Sequence, residues 1–232
     1  MLEIGRQNQL LVLETGTHSA IIDGGHWGRL LLPLSQCPQH ITPGDLLQVF
    51  IYTDARGEPV ATTRQPAIEL GQVGWLEVVD VNSLGAFVAW GLPKDLFIPY
   101  AEQQQPLAKG RRCLVRLYLD NQGRLAGSTR IDHWIRDENK GLKQGEKVSL
   151  LIGDKTELGF KAIINHEFFG LLYANELYRR VRKGQVIVGF IKQIREDGKF
   201  DLSVNKPGFS MGTRVGVSAT MVAALQDNVG VW

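Results

Sequence analysis

The chain has 232 residues, of which 44% are hydrophobic and 22% are charged, and its formal net charge is +2. This apolar content is enough to form buried cores and excludes a chain that is disordered throughout. At about 100–200 residues per domain, the length allows one large domain or several small ones.

Two features predict a protein of the reducing cytoplasm. The apolar runs are far shorter than the ~20 residues of a membrane-spanning helix, and the chain does not open with the basic and apolar regions of a signal peptide. Cys37 and Cys113 lie far apart and match no zinc-site spacing. We therefore expect no membrane association, no disulfide, no metal and no cofactor.

An internal repeat organises the chain. Adding 66 to positions in the first segment aligns it with the second without a gap, and the matches include glycine and proline residues that fix turns: Gly5 with Gly71, Gly25 with Gly91, Pro33 with Pro99, Gly44 with Gly110 and Gly57 with Gly123. A more diverged third copy follows at an offset of 74. We expect three small domains over residues 1–66, 67–136 and 137–207.

Each copy contains short β-rich stretches separated by Gly, Asp and Asn. In the second copy these patterns predict five strands: Val73–Val81, Ala86–Trp90, Leu96–Tyr100, Cys113–Leu119 and Arg124–Ser128. A longer connection, residues 101–108, follows the third strand. Five strands with this connection indicate an all-β protein of three OB-fold barrels.

The segments between the copies differ. The first linker, Thr63–Leu70, is short and predicts close coupling of the first two barrels, whereas Arg130–Gln144 is longer and highly charged. After the third copy, residues 208–232 contain apolar residues at helical spacing, which predicts a helix over Val215–Gln226.

Charge rises along the chain. The net charge is −2 for residues 1–66, +1 for 67–136 and +3 for 137–209. A polyanionic partner would therefore favour the later copies.

The second copy resembles the S1-type RNA-binding domain. The resemblance rests on five short motifs in order: Val78–Asp80, Leu84–Val88, Asp95–Pro99, Lys109–Gly110 and Asp120–Leu125. It implies RNA binding on the outer face of the barrel.

Longer strings in the third copy resemble the conserved virulence factor B family. They are Lys155–Lys161, Gly170–Tyr173 and Ile194–Ser203. The resemblance covers about residues 1–207 and implies a bacterial regulator with three S1-type barrels followed by a winged-helix domain. Residues 208–232 have room only for the start of such a domain.

The S1 resemblance implies specific RNA-binding positions. In the second copy, Phe87 is the base-stacking residue, with Leu84 nearby, Pro99 at the end of the third strand, and Asp120 and Arg124 flanking the last hairpin. Single-stranded RNA requires exposed aromatic rings flanked by cations. Two alternatives stay open: Phe87 is a core residue, and Arg124 is an ordinary solvated arginine.

The corresponding positions differ between the other copies. In the third copy they provide one aromatic residue and three cations, at Leu158, Lys161, Tyr173, Arg195 and Lys199. In the first copy they are His18, Ile21, Pro33, Asp54 and Glu58, so both the aromatic ring and the arginine are absent. We expect the second and third copies to bind RNA and the first to support the assembly. For Trp27 two interpretations stay open, a stacking residue and a local packing anchor.

Catalysis has little support in the sequence. The five histidines are spread over the copies, and none lies in a nucleophile, metal or phosphate-loop motif. The sequence predicts a non-enzymatic protein that binds single-stranded RNA with low sequence specificity in post-transcriptional or translation-linked regulation. Its expected partners include the ribosome or other RNA-associated proteins. The alternative is a protein-interaction scaffold built from the same barrels.

Overall fold

The computed structural model describes residues 2–54, 56–136, 141–177 and 180–206. Within these ranges the chain forms fifteen strands: β1 Gln7–Thr15, β2 Ser19–Asp23, β3 Arg29–Pro33, β4 Leu46–Thr53, β5 Pro59–Thr62, β6 Val73–Val81, β7 Gly85–Ala89, β8 Leu96–Pro99, β9 Arg112–Leu119, β10 Leu125–Ser128, β11 Lys147–Lys155, β12 Gly159–Ile164, β13 Phe168–Tyr173, β14 Val186–Ile194 and β15 Phe200–Ser203. The helix predicted at Val215–Gln226 lies outside the described residues.

Each group of five strands forms one OB-fold barrel, so the all-β prediction and the three barrels are confirmed. Barrel 1 has the strand order β3-β2-β1-β4-β5, and barrel 2 has the order β10-β9-β6-β7-β8. In both, the outermost strands approach each other and nearly close the sheet. Barrel 3 is fully closed in the order β11-β12-β13-β15-β14, because β13 and β15 pair in parallel. Its order is that of a Greek-key barrel.

In the described ranges five short 3-10 turns connect the strands, at Gly25–Trp27, Leu34–Gln36, Tyr100–Glu102, Ile131–His133 and Ala174–Glu176. Three of them directly follow the third strand of a barrel. No helix in the described part of the chain is long and apolar enough to cross a bilayer.

Strand β4 explains why barrels 1 and 2 are tightly joined. Its side chains alternate, so Val49 and Ile51 point into barrel 1 while Phe50 and Tyr52 point the other way. Phe50 and Tyr52 join the core of barrel 2, where the ring of Phe50 meets Trp90 edge-on at a centroid distance of 5.9 Å. Barrel 1 thus places two aromatic side chains in the apolar core of barrel 2, which joins the two barrels closely while each keeps its own core.

Barrels 2 and 3 meet through a separate apolar cluster. It contains Val73 of barrel 2, Ile131 and Ile135 of the linker, and Leu151 and Ile163 of barrel 3, all of which are buried. Leu151 and Ile163 lie on the outer face of barrel 3, because the alternate residues of β11 and β12 fill its interior. Part of the outer face of barrel 3 is therefore covered by barrel 2.

Candidate nucleic-acid interface

The outer face of barrel 2 carries a pair of aromatic rings. Phe87 on β7 lies directly opposite Phe97 on β8, and their ring centroids are 5.2 Å apart. Both side chains are only partly buried, whereas Ala86 and Val88 are fully buried in the core. Phe87 therefore lies outside the barrel core, with one ring beside it that the sequence reasoning missed.

Gly85 allows the second ring to lie close to β7. A Cβ atom at this position would be 2.2 Å from the carbonyl oxygen of Ile98 and 2.8 Å from the ring of Phe97. Any larger residue would push β8 and its ring away from the sheet. The third copy has Gly159 at the equivalent place, where a Cβ would be 2.1 Å from the carbonyl oxygen of Leu172.

Leu84 forms the exposed edge of the same face. Leu84 is 71% exposed, and the turn that presents it is held by the Asn82 carboxamide, which accepts a hydrogen bond of 2.8 Å from the Leu84 N–H. The Leu84 carbonyl accepts a hydrogen bond from Tyr100 N–H at 3.1 Å. This bond places Leu84 next to the end of β8, where Pro99 lies.

Asp120 fixes the position of Arg124. One carboxylate oxygen of Asp120 accepts hydrogen bonds from Arg124 Nε at 3.0 Å and from Nη2 at 2.9 Å, while the other accepts the backbone N–H groups of Gln122 and Arg124. Burial alone would raise the pKa of Asp120, but these hydrogen bonds outweigh it and the pKa is lowered. The Arg124 side chain remains 55% exposed, and a guanidinium in this position can donate hydrogen bonds to an anion.

A cleft of about 320 Å³ lies beside these residues, at the junction of barrels 1 and 2. Three of the predicted positions, Pro99, Asp120 and Arg124, line this cleft together with Phe97, whereas Phe87 and Leu84 are not among its lining residues. Barrel 1 contributes Thr53 and Asp54 to the opposite wall.

Lys94 ties the two walls of this cleft together. Its ammonium donates hydrogen bonds to the backbone carbonyls of Thr53 at 2.9 Å and Asp54 at 2.7 Å, and burial lowers its pKa. Trp90 Nε1 donates to the Lys94 carbonyl at 2.6 Å, which fixes the loop that carries the lysine. The sequence has no local signal for this role, because the partners are carbonyls of another repeat.

In barrel 3, Tyr173 and Arg195 are brought together by Asp201. Arg195 donates to the Asp201 carboxylate through Nε at 2.8 Å and Nη2 at 2.6 Å, and Nη2 also donates to the Tyr173 hydroxyl at 2.6 Å. The Arg195 side chain is 34% exposed. This arrangement differs from barrel 2, where the aspartate that holds the arginine comes before the last hairpin rather than after it.

The other predicted residues of barrel 3 divide into two groups. Leu158 is 61% exposed, and its carbonyl accepts the N–H of Ala174, which places it beside Tyr173. Lys199 is highly exposed and pairs with Asp197 of its own hairpin at 3.0 Å. Lys161 instead directs its ammonium toward the linker, 2.8 Å from Asp132 and 3.5 Å from the ring centroid of Phe169.

Barrel 1 lacks a comparable arrangement at the matching positions. Asp54 caps its own hairpin by accepting the N–H groups of Arg56 and Glu58, but position 58 provides a carboxylate where barrel 2 has Arg124. Trp27 packs on the core of barrel 1, and its ring centroid is 4.1 Å from that of His26. Its position fits a local packing anchor.

The described residues contain no group of three or more His, Cys, Asp or Glu side chains placed to hold a metal ion. Burial raises the pKa of the Cys113 thiol to about 11 and also raises that of Cys37, so both thiols are protonated at neutral pH.

The fold and this face define a tandem OB-fold protein of the nucleic-acid-binding type. The S1 domain model matches residues 4–64 and 70–130, and the chain belongs to the S1 domain family. S1 domains support a general role in binding RNA or other nucleic acids, and they are typically binding modules rather than enzymes.

Curated relatives support the resemblance of this chain to the conserved virulence factor B family. The chain is 30% identical to the uncharacterized protein YitL of Bacillus subtilis over 75% of its length, and 26% identical to conserved virulence factor B of Staphylococcus epidermidis over 62%. It spans 61% and 51% of these two proteins. The predicted relationship to conserved virulence factor B is confirmed.

A solved structure is also similar. It is a multidomain protein with nucleic acid binding domains from Streptococcus pneumoniae, which is 23% identical with a TM-score of 0.48. The similarity covers 90% of this chain and 76% of that one.

Proposed function

We propose that the chain binds single-stranded RNA with little sequence preference, and that the face of barrel 2 is the main contact. The observation that carries the proposal is the pair of partly exposed rings, Phe87 and Phe97, of which Phe97 lines the same cleft as the Arg124 guanidinium held by Asp120. Every base has a π-face that can stack on such rings, and a guanidinium binds phosphate whatever the base. Both contacts tolerate any sequence.

Barrel 3 would supply a second contact through Leu158, Tyr173, Arg195 and Lys199. Tyr173 and Arg195, which are joined by a hydrogen bond, offer one ring and one cation. The net charge of +3 over residues 137–209 also favours binding of a polyanion. Barrel 1 carries a net charge of −2. Its main role would be structural, because Thr53 of barrel 1 accepts the hydrogen bond by which Lys94 joins the two walls of the cleft.

The cellular role that fits such binding is post-transcriptional or translation-linked regulation in the cytoplasm. The ribosome or other RNA-associated proteins would then be partners, and catalysis would play no part. Sequence-tolerant contacts suit a protein that acts on many transcripts.

Fluorescence anisotropy with several unrelated RNA oligonucleotides at rising salt tests the proposal. With four to six phosphates neutralised, the slope of log affinity against log salt should be about −3 to −4 at ~0.7 per phosphate. Similar affinities for all sequences would support low specificity. The proposal fails if none of the oligonucleotides binds at low salt.

A protein-interaction scaffold is the second candidate, and one observation favours it. Barrel 1 exposes Leu31 by 65% and Leu46 by 60% on its outer surface. Partner capture that does not weaken at high salt, by a chain that retains no RNA, would support this function instead.

A further inference from the structure

A second and larger cleft, of about 520 Å³, lies between barrels 2 and 3. Barrel 2 contributes Trp75, Arg112 and the amide side chains of Gln104 and Gln105. Its other wall comes from barrel 3 and carries Lys161, Phe169 and Lys183. This cleft, which we call the barrel 2–3 cleft, is separate from the face that holds Phe87 and Arg124.

Each aromatic ring in the cleft is covered by a lysine. The ammonium of Lys161 is 3.5 Å from the ring centroid of Phe169, and that of Lys183 is 5.2 Å from the ring of Trp75. Such cation–π contacts contribute only about 0.5–1 kcal/mol at exposed sites, so a stacking base could replace them.

The same lysines are also paired with carboxylates. Lys161 is 2.8 Å from Asp132, and Lys183 is in direct contact with Asp154. The four side chains are between 39% and 70% exposed, and exposed pairs of this kind are worth about 0–1 kcal/mol. Exchanging a carboxylate for a phosphate would therefore cost little.

The remaining lining residues suit a nucleobase. Gln104 and Gln105 have exposed side chains, and each carboxamide offers both donors and an acceptor to the edge of a base. Because Asp132 and Asp154 neutralise the two lysines, the cleft does not have the excess positive charge of a site that binds only the phosphate backbone. It combines two rings, two amides and exchangeable cations, which matches an unstacked nucleotide.

Lys161 connects the cleft to the proposed face of barrel 3. It lies on β12 two residues after Gly159, and Gly159 is paired with Tyr173 on β13. Lys161 and Gly159 face the same side of the sheet, so Lys161, which lines the cleft, lies on the same face of barrel 3 as Tyr173. An RNA strand on barrel 3 would reach the cleft by passing this lysine.

We infer that the barrel 2–3 cleft is a second nucleotide-binding site, which takes one or two unstacked nucleotides of a single-stranded RNA that also contacts barrel 3. The inference rests on the proposed function. When RNA binds, a phosphate replaces the aspartate as the partner of each lysine. A base stacks on the aromatic ring that the lysine contacted before. The aspartates are therefore competitors of the RNA, and their removal should strengthen binding.

The test uses the full chain and oligouridylates of two lengths, about 4 nucleotides, the lower end of one OB-fold site, and about 12 nucleotides. For the longer RNA, Asp154→Asn should raise the affinity about twofold to fivefold, the factor expected for freeing one exposed ion pair. Lys183→Gln should lower it and reduce the salt slope by about 0.7. The shorter RNA, which one face can bind, should respond to neither change.

Glu14→Gln is the matched control for charge, since Glu14 also forms an exposed pair, with Arg29 on barrel 1. Crosslinking with 4-thiouridine in the longer RNA, with each crosslink assigned to a single residue, should label Trp75 or Phe169. Equal effects of Asp154→Asn and Glu14→Gln, with crosslinks confined to Phe87 or Tyr173, would overturn the second site alone. If neither RNA binds the wild-type chain, the proposed function and this inference fall together.

Discussion

The Nδ1 atom of His166 accepts a hydrogen bond of 3.0 Å from the backbone N–H of Val73, which lies 93 residues earlier in the chain. The carbonyl of His166 in turn accepts a bond of 2.9 Å from Arg116 Nη1. The turn between β12 and β13 is thus fastened to barrel 2 by two hydrogen bonds beside the apolar cluster of that junction. Only an unprotonated Nδ1 can accept the first bond.

The junction should therefore weaken in mild acid. Burial lowers the pKa of His166 from its ordinary value of 6.5, and the charge of Arg116 acts in the same direction, while Glu167, itself paired with Arg136, opposes it. As the pH falls below 6.5, the unfolded chain takes up the proton first, so stability is lost until the folded pKa is passed. Urea unfolding between about pH 5 and pH 7.5 measures this loss.

His166→Asn is the control for this pH dependence. Asparagine does not titrate, its oxygen can accept the Val73 N–H, and it tolerates the φ of 64° that His166 adopts. The variant should lose less stability than the wild type over the same pH range. An identical pH profile would assign the effect to other groups.

Phe87→Ala should weaken RNA binding more than it weakens the fold. Loss of one base–aromatic stack costs about 1–3 kcal/mol, which is a ~5-fold to 150-fold drop in affinity. Phe50→Ala, at a fully buried position, should instead cost about 3–5 kcal/mol of folding stability. Fluorescence anisotropy measures the RNA affinity of both variants, and urea unfolding measures their stability. A stability loss for Phe87→Ala as large as that for Phe50→Ala would contradict its placement outside the core.

Arg124→Gln should reduce the salt dependence of RNA binding, because one phosphate contact is removed. The slope should become shallower by about 0.7. Arg29→Gln is a closely matched control, since Arg29 is 56% exposed, pairs with a carboxylate and lies on barrel 1. Equal changes of slope in the two variants would show that barrel 1 contacts RNA as strongly as barrel 2.

Gly184→Ala should loosen the packing of barrel 3 on barrel 2. A Cβ atom at Gly184 would be 2.1 Å from the indole of Trp75, and the backbone φ is +82°. Gly145→Ala is the control, because its φ of +83° is the same but no atom lies within 4 Å. Both variants should pay ~1–2 kcal/mol for the left-handed backbone. Urea unfolding should show ~1–3 kcal/mol more for Gly184→Ala, from the displaced ring.

The strands of barrel 2 were predictable because their signals are local. Alternation and turn residues place β6 at its observed bounds and the other four strands within one residue of theirs. The same alternation places Phe87 opposite to Ala86 and Val88, and counting across the β7–β8 hairpin would have added Phe97.

The side-chain contacts of Lys161 could not be predicted from such local signals. The repeat gives its position on a strand, equivalent to Phe87, but not which neighbour lies beside that strand. Asp132 and Phe169 receive the lysine because the linker and barrel 2 cover this side of barrel 3. Packing between repeats depends on the linkers, which the repeats do not share. The roles of Lys94 and His166 were missed for the same reason.

The sharing of Phe50 and Tyr52 with the core of barrel 2 has a consequence during synthesis. These rings emerge from the ribosome with the last strands of barrel 1, whereas their partners Trp90 and Leu96 follow about 40–45 residues later. At ~5–20 residues per second, both rings stay uncovered for about 2–9 seconds. During that interval the nascent first barrel therefore exposes an aromatic surface that can aggregate. We expect a chaperone that acts on the growing chain to bind at Phe50 and Tyr52.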